Sequence, residues 1–141
     1  MRKILLCLCG LSPAVITETI YALTRLQKPA FIPDEVHVIT TATGKMLIEE
    51  KLLHPVLGRF YTLCQEYGLG NIRFNEANIH VINKDGEEIL DLKDDLENNL
   101  TADFILHIVR KFCLEEVTIL HASIAGGRKT MSFYLGMAMQ F

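Results

Sequence analysis

Five consecutive residues near the end of the chain combine side chains and backbone suited to binding an anion: Gly126, Gly127, Arg128, Lys129 and Thr130. They follow a β-branched run that predicts a strand, and they precede a segment that predicts a helix. A helix N-terminus carries unpaired N–H groups and the positive end of the helix dipole, so it attracts anions. The two glycines let the backbone approach closely, and the guanidinium and ammonium groups suit phosphate oxygens. The sequence therefore predicts a phosphate-binding turn at residues 125–130.

This turn is not a Walker A loop. That motif requires a glycine five positions before the glycine of its Gly-Lys-Ser/Thr end. Ala122 occupies that position relative to Gly127, and Arg128 separates the glycine from the lysine. The alternative interpretation is an ordinary strand–helix turn that carries two solvated cations.

Composition restricts the partners of such a site. The chain has 141 residues, of which 50% are hydrophobic and 22% are charged, as expected for one globular domain with a substantial core. Its formal net charge is −3, which argues against a protein that coats a nucleic-acid duplex, because such proteins carry a clustered basic excess. Any phosphate site is therefore expected to be local.

The start of the chain and its cysteines indicate a cytoplasmic protein that does not cross a membrane. The apolar run after Met1-Arg2-Lys3 is too short for a signal peptide and lacks a cleavage site, and no segment approaches the ~20 apolar residues of a membrane span. The four cysteines lie in apolar runs, so we interpret them as reduced core thiols. They are Cys7, Cys9, Cys64 and Cys113. No histidine forms a ligand pair with them, so we predict no metal site.

Hydrophobic periodicity predicts alternating strands and helices. Four apolar runs read as strands of a mainly parallel sheet, at residues 4–9, 34–41, 78–83 and 117–124. Asp85-Gly86 predicts the turn of a β-hairpin after the third strand, and Pro55 is expected to kink or divide the second helical region. The predicted fold class is α/β: a Rossmann-like sheet with helices on both faces and a β-hairpin at one edge, in a single domain over residues 1–141.

Start signals mark most of the predicted helices. Ser12 is a natural N-cap with Pro13 at the first helical position, and the acidic run at residues 91–97 suits a helix N-terminus. A last helix is predicted from Gly127 onward. It has no stop signal before Phe141, which leaves open a truncation at the C-terminus.

Three polar turns directly follow predicted strands, at residues 10–13, 41–45 and 125–130. In parallel α/β sheets, ligands bind outside the carboxyl ends of the strands, near a reversal in strand order. From topology we therefore expect the three turns to share one edge of the sheet.

Two segments resemble the CRISPR-associated Rossmann-fold (CARF) domains. They are GLSPAVITETIYAL at residues 10–23 and HASIAGGRKTMSFYLG at residues 121–136, whereas residues 46–100 match only in general pattern. The resemblance implies binding of a cyclic oligoadenylate, the second messenger of type III CRISPR antiviral defence. A cyclic tetra-adenylate has two-fold symmetry, so the resemblance also implies a homodimer that surrounds the ring from both sides.

Position by position, the resemblance assigns ligand binding to the first and last of the three turns, and more weakly to the second. The assigned residues are Gly10, Leu11, Ser12 and Pro13, then Ala125, Gly126, Gly127, Arg128, Lys129 and Thr130, with Thr41, Thr43 and Gly44 as the weaker group. In ring nucleases of related type, a hydroxyl residue of the first loop and a lysine of the last take part in cleavage. Ser12 and Lys129 occupy those places, which implies catalytic roles that need no metal or cofactor, because the ligand's own 2′-OH is the nucleophile.

Other functions remain open from the sequence. The chain could be a CARF sensor without catalysis that regulates an effector nuclease, or a structural module. A nucleotide-dependent Rossmann enzyme is a further alternative, but the GxGxxG fingerprint would need two more glycines after Gly10, and residues 11–15 contain none. Ser12 has a second interpretation as a helix cap, and His121 could act as a general base or be a packed strand residue.

Overall fold

A parallel sheet organises the part of the chain that the computed structural model describes, which comprises residues 2–84, 87–88, 95–114 and 118–123. Within these residues the sheet has four strands: β1 (Arg2–Leu8), β2 (Glu35–Thr40), β3 (Ile79–Val81) and β6 (Thr118–Ser123). Their order across the sheet is β3-β2-β1-β6, and every adjacent pair is parallel. A short antiparallel pair follows the edge strand β3 and is formed by β4 (Asn83–Lys84) and β5 (Glu87–Glu88).

Four α-helices connect these strands within the described residues. They are α1 (Ala14–Tyr21), which continues as a π-helical turn (Ala22–Leu26), α2 (Ala42–Lys51), α3 (Arg59–Tyr67) and α4 (Asp95–Cys113). The predicted α/β fold class is confirmed, including the parallel sheet and the hairpin. The Asp85-Gly86 turn itself and the predicted last helix lie outside the described residues.

The central strand β1 is buried on both faces, as its continuous apolar run predicts. Leu5 and Cys7 pack in the same core cluster as buried residues of the first three helices, namely Ile16, Ile20, Ile48, Phe60 and Cys64. The alternate residues Ile4, Leu6 and Leu8 pack with Ile105, Ile108, Val109 and Phe112 of α4. Helices therefore cover both faces, with α1, α2 and α3 on one and α4 on the other.

The strand order reverses between β1 and β6. The chain runs from β1 through β2 to β3 with its helices on one face, and α4 then returns it across the other face to β6, which pairs with β1 from Arg2↔Thr118 to Cys7↔Ser123. In α/β sheets the crevice at such a reversal, outside the carboxyl ends of the strands, is the usual ligand site. The tertiary structure thus places this reversal between the ends of β1 and β6, where a ligand site is expected.

The second helical region is divided, as Pro55 predicts. Helix α2 ends at Lys51 and α3 begins at Arg59. A side chain at Gly58 would collide with the backbone of this connection, since its Cβ would lie 2.6 Å from the carbonyl oxygen of His54. Gly68 then ends α3 with φ of 68°, the left-handed conformation that glycine adopts without steric cost.

Three details of the sequence-based prediction are wrong. Residues 42–45 form the first turn of α2 instead of a polar turn, because Thr41 caps the helix directly at the end of β2. The side chain of Ser12 does not cap α1, which begins at Ala14 after Pro13 with no side-chain cap hydrogen bond. Cys113 is exposed at the end of α4 and is not a core thiol, whereas the other three cysteines are buried.

Candidate functional site

The candidate site lies at the carboxyl rim, by which we mean residues 10–13, residues 41–44 and the end of β6 at Ser123. The backbone N–H of Cys9 donates to the carbonyl oxygen of Ile39 at 3.1 Å, so pairing between β1 and β2 extends one residue beyond β1. The chain then leaves the sheet. Leu11 and Ser12 are exposed, and Pro13 is buried against the fold. The first predicted ligand turn therefore presents two side chains to solvent.

The start of α2 touches this first turn. A Cβ built on Gly44 would lie 2.9 Å from the carbonyl oxygen of Gly10 and would overlap the side-chain hydroxyl of Thr40. Only glycine allows this approach, because any side chain would push α2 away from β1. The structure thus brings together two of the three predicted turns, through Gly10 and Gly44.

Thr41 and Gly44 face inward, and Thr43 is partly exposed. The Thr41 hydroxyl accepts the N–H of Gly44 at 3.2 Å, and its carbonyl accepts the N–H of Lys45 at 2.9 Å. Thr41 is only 4% exposed, so its hydroxyl serves the helix start. The N-terminus of α2, with the positive end of its dipole, lies at the carboxyl rim, which suits a negatively charged group there.

The third predicted turn begins just beyond β6. Ser123 pairs with Cys7, so β6 ends at the same level of the sheet as β1. The turn lies outside the described residues, and its assignments therefore stay predictions from the sequence. They concern Ala125, Gly126, Gly127, Arg128, Lys129 and Thr130.

His121 lies on β6, two residues before its end and opposite Leu5 of β1. Its ring is partly buried and packs against Phe31, with the ring centroids 5.3 Å apart. This contact favours the interpretation of His121 as a packed strand residue.

Cys9 lies immediately before the rim residue Gly10, and from the sequence it was interpreted only as a core thiol. Its Sγ lies 3.5 Å from the carbonyl oxygen of Gly10 and 3.8 Å from that of Ser12, as a weak donor to both. Burial raises the pKa of the Cys9 thiol to about 11, and burial together with the neighbouring Cys9 raises the pKa of Cys7 to about 12. Both thiols are therefore protonated at neutral pH, and Cys9 can donate. The only sequence signal for this role is its position immediately before Gly10.

A second polar cluster lies toward the amino end of β2, away from the carboxyl rim. Glu35 is 5% exposed and forms ion pairs with Arg2 and with Arg73, the latter at 3.6 Å. Its carboxylate also lies 3.4 Å from Nε2 of His37, and Nδ1 of His37 lies 2.9 Å from Nε2 of His80. No pattern in the sequence marks this cluster, because β1, β2 and β3 come together only in the tertiary structure.

The pKa values of this cluster follow from burial and from its own charges. The hydrogen bond from Arg2 is the largest cause that holds the pKa of Glu35 below its usual value. Burial lowers the pKa of His37, and burial is also the largest cause that lowers the pKa of His80 to about 4, with smaller electrostatic contributions from His37 and Lys111. The cluster is thus an anion with two neutral imidazoles at neutral pH, which suits a structural role.

One groove of about 450 Å³ lies beside α3, between Phe60 and Tyr61 on one side and Arg73 and Phe74 on the other. None of the predicted ligand residues at positions 10–13 and 41–44, which the structure describes, lines this groove. Within the described ranges, no three His, Cys, Asp or Glu side chains are arranged to hold a metal ion. No helix in the described part of the chain has the length and apolarity to cross a membrane.

Comparison with known proteins adds two findings. A family model described as CRISPR-associated protein NE0113 matches residues 12–141. The Enterococcus italicus protein Csm6, solved bound to cyclic hexa-2′-fluoro-hexa-dAMP, has a similar fold with a TM-score of 0.52 at 11% sequence identity. The likeness covers 97% of this chain and 30% of the Csm6 chain, so it concerns one part of a longer protein. No curated protein sequence matches the chain. The resemblance to a CRISPR-associated family is confirmed.

Proposed function

This chain belongs to the CRISPR-associated NE0113 protein family, and from that premise we propose that it binds a cyclic oligoadenylate at its carboxyl rim. The observation that carries the proposal is the reversal of strand order between β1 and β6. It aligns the end of β1, which leads into Gly10 and Ser12, with the end of β6, which leads within a few residues into Arg128 and Lys129. Two motifs far apart in sequence can then act on one ligand.

The chemistry of the rim suits a ring of phosphates. The exposed hydroxyl of Ser12 and the start of α2 offer hydrogen-bond donors from one side of the crevice. Arg128 and Lys129 would add two cations from the other side. Such a local site needs no basic excess in the whole chain, which agrees with the net charge of −3. That Csm6, a protein of similar fold, was solved with a cyclic oligoadenylate-type ligand supports the same class of ligand here.

A homodimer is the assembly that this ligand would require. A ring of four adenylates has two-fold symmetry, so two copies of the rim related by a dyad make identical contacts with opposite halves of the ring. We propose cyclic tetra-adenylate as the first ligand to test, with the six-membered ring as the comparison.

We further propose that the dimer cleaves the ring. The ribose 2′-oxygen attacks the adjacent phosphorus, its proton passes to water or a base, the bond from phosphorus to the 5′-oxygen breaks, and that oxygen takes up a proton. The products are a 2′,3′-cyclic phosphate and a 5′-hydroxyl. Holding the 2′-oxygen in line with the leaving oxygen supplies the proximity effect. Lys129 would stabilise the charge on the phosphoryl oxygens, and Ser12 would orient the ribose or phosphate.

A sensor without catalysis is the second candidate. It is favoured by the 30% coverage of the Csm6 chain, because a domain that corresponds to part of a longer protein can transmit binding to another part. In that case the ring binds at the same carboxyl rim and dissociates without being cleaved.

The test is to incubate the purified protein, in excess over ring, with cyclic tetra-adenylate or cyclic hexa-adenylate, and to measure binding by calorimetry and products by chromatography. A ring with 2′-fluorine in place of every 2′-hydroxyl is the matched control, since it keeps the phosphates and lacks the nucleophile. If a 2′-hydroxyl ring and its 2′-fluoro control both bind, and only the 2′-hydroxyl ring is cleaved, the result supports a ring nuclease. Binding without cleavage identifies the sensor. If neither ring binds, and ATP or NAD binds instead, the proposal is wrong and the nucleotide-enzyme alternative gains support.

A further inference from the structure

A layer of buried residues lies directly beneath the exposed turn at residues 10–13. Cys9 and Thr40 are fully buried at the ends of β1 and β2, and Gly44 is buried in the first turn of α2. None of these side chains is accessible to a ligand. Their contacts are with the backbone that carries the ligand residues.

The thiol of Cys9 is a weak hydrogen-bond donor to two carbonyl groups of the turn. Its Sγ lies within donor distance of the carbonyl oxygens of Gly10 and Ser12, at 3.5 and 3.8 Å. With both carbonyls turned toward the core, the side chains of Leu11 and Ser12 are exposed at the rim. Because burial raises the pKa of Cys9 to about 11, the thiol keeps the proton that these contacts need.

Gly44 sets the separation between the turn and α2. The space that its side chain would occupy is filled by the hydroxyl of Thr40 and bordered by the carbonyl oxygen of Gly10 at 2.9 Å. An alanine here would have to move α2 or the turn, since two of the three nearest groups belong to a buried strand residue and one to backbone. The close approach therefore depends on glycine.

We infer that Cys9 and Gly44 are positioning residues for the ligand: Cys9 holds the turn at residues 10–13 in its binding conformation, and Gly44 holds the start of α2 against it. The inference rests on the proposed function, because it names residues that act on the proposed ligand without touching it. It also gives Gly44 a supporting role beneath the site in place of direct ligand contact.

The chain offers a matched control for each residue. Cys7 lies two positions before Cys9, within β1 and in the same core cluster, and the thiol contacts with the carbonyl groups of the turn are those of Cys9. Gly58 is likewise enclosed by backbone, with the carbonyl oxygen of His54 at 2.6 Å from a built Cβ, but it lies in the connection between α2 and α3. Cys9→Ala is compared with Cys7→Ala, and Gly44→Ala with Gly58→Ala.

The experiment measures the thermal midpoint and the Kd for cyclic tetra-adenylate of each variant. Cys9→Ala is expected to bind the ring roughly two- to tenfold more weakly than Cys7→Ala at a similar thermal midpoint, as for loss of one hydrogen bond. Cys9→Ser keeps a donor and should restore wild-type affinity. Gly44→Ala should weaken binding more than Gly58→Ala. If, in both variant–control pairs, the affinity falls only in proportion to the thermal midpoint, then Cys9 and Gly44 contribute only to packing and the inference is wrong.

Hydrogen exchange of the unliganded protein separates this result from a failure of the proposed function. The backbone amides of residues 10–12 should exchange faster in Cys9→Ala than in wild type and remain unchanged in Cys7→Ala. A wild-type protein that binds no ring overturns the proposed function. Unchanged exchange in Cys9→Ala overturns the positioning role whatever the ligand.

Discussion

At the scale of single residues, the structure distinguishes between two interpretations of Ser12: a cap of helix α1 and a residue that acts on the ligand. Its side chain is exposed and makes no cap hydrogen bond to α1. A hydroxyl that stabilises nothing local is available for a ligand, so the helix-cap interpretation no longer competes with the proposed catalytic role.

Substitution of Ser12→Ala is therefore expected to leave stability almost unchanged and to slow ring cleavage. The change in the free energy of unfolding should stay within about 0.5 kcal/mol, as for most surface substitutions. Urea unfolding and single-turnover cleavage, measured on the same preparation, check the two halves of this prediction. A large loss of stability would contradict the exposed geometry, and normal cleavage would remove Ser12 from the mechanism.

Lys129 is the residue on which the proposed anion site most depends. Loss of one hydrogen bond to a charged group typically costs about 1.5–3 kcal/mol, and a two-fold ring would lose two such contacts. Lys129→Ala should therefore weaken ring binding by at least tenfold in calorimetry. Lys51→Ala is the control, because that lysine is 60% exposed at the end of α2 and lies near Glu50. Equal affinities of Lys129→Ala and Lys51→Ala for the ring would contradict the proposed anion site.

At the scale of elements, the start of α2 shows how a local pattern can mislead. Glycine at position 44 and the polar residues around it resemble a turn, yet Thr41 caps a helix there. The reason is tertiary: Gly44 is required by its approach to Gly10 and Thr40, and not by any turn of its own.

Thr41→Ala should destabilise the fold by about 1 kcal/mol, the usual cost of losing an N-cap side chain. Thr43→Ala, two residues later and partly exposed, is the comparison and should cost less. Chemical denaturation of both variants measures the difference. Equal losses would show that the hydroxyl of Thr41 does not cap α2.

The polar cluster that joins β2 and β3 predicts acid sensitivity. A histidine in the unfolded chain titrates near 6.5, whereas the pKa of His80 in the fold is about 4. Between these two pH values the unfolded chain binds the proton more readily than the folded chain does. The contribution of neutral His80 to the free energy of unfolding is therefore complete above about pH 6.5 and is lost as the pH falls toward about 4. The lowered pKa values of His37 and Glu35 act in the same direction.

We therefore expect the free energy of unfolding to decrease as the pH falls from about 6.5 to about 4. The variant His80→Gln should make this decrease shallower, whereas His107→Gln, at an exposed position of α4, should leave it as in wild type. Urea unfolding at several pH values gives the slopes. Identical slopes for wild type and His80→Gln would contradict a buried neutral His80.

At the scale of the whole molecule, the strand order supports the proposed position of the site. The sequence predicts three polar turns after strands, but only the ends of β1 and β6 flank the reversal in the described sheet. Helix α2 lies next to the turn that follows β1, through the close approach of Gly44 to Gly10. The first turn is thus bordered on one side by α2 and on the other by the exit of β6.

One ring per two chains is the stoichiometry expected of a two-fold site. Native mass spectrometry of the protein with cyclic tetra-adenylate should show a dimer that carries a single ring. A monomer with one ring would contradict the shared site, and a dimer with two rings would show that each protomer binds on its own.

The sequence by itself determined the elements and the chemistry of the proposed site. Continuous apolar runs specify buried parallel strands because both faces of such strands are covered, Pro55 divides a helix because it lacks an N–H, and the motifs around Gly10 and Gly126 indicate the CRISPR-associated family. These signals lie within short segments of the sequence, so they can be recognised without the tertiary structure. Only the tertiary structure decided that the reversal lies between β1 and β6, that Cys9 and Gly44 support the first turn, and that Glu35, His37 and His80 meet. These depend on contacts between distant segments, and the geometry of such contacts is fixed only when the sheet assembles.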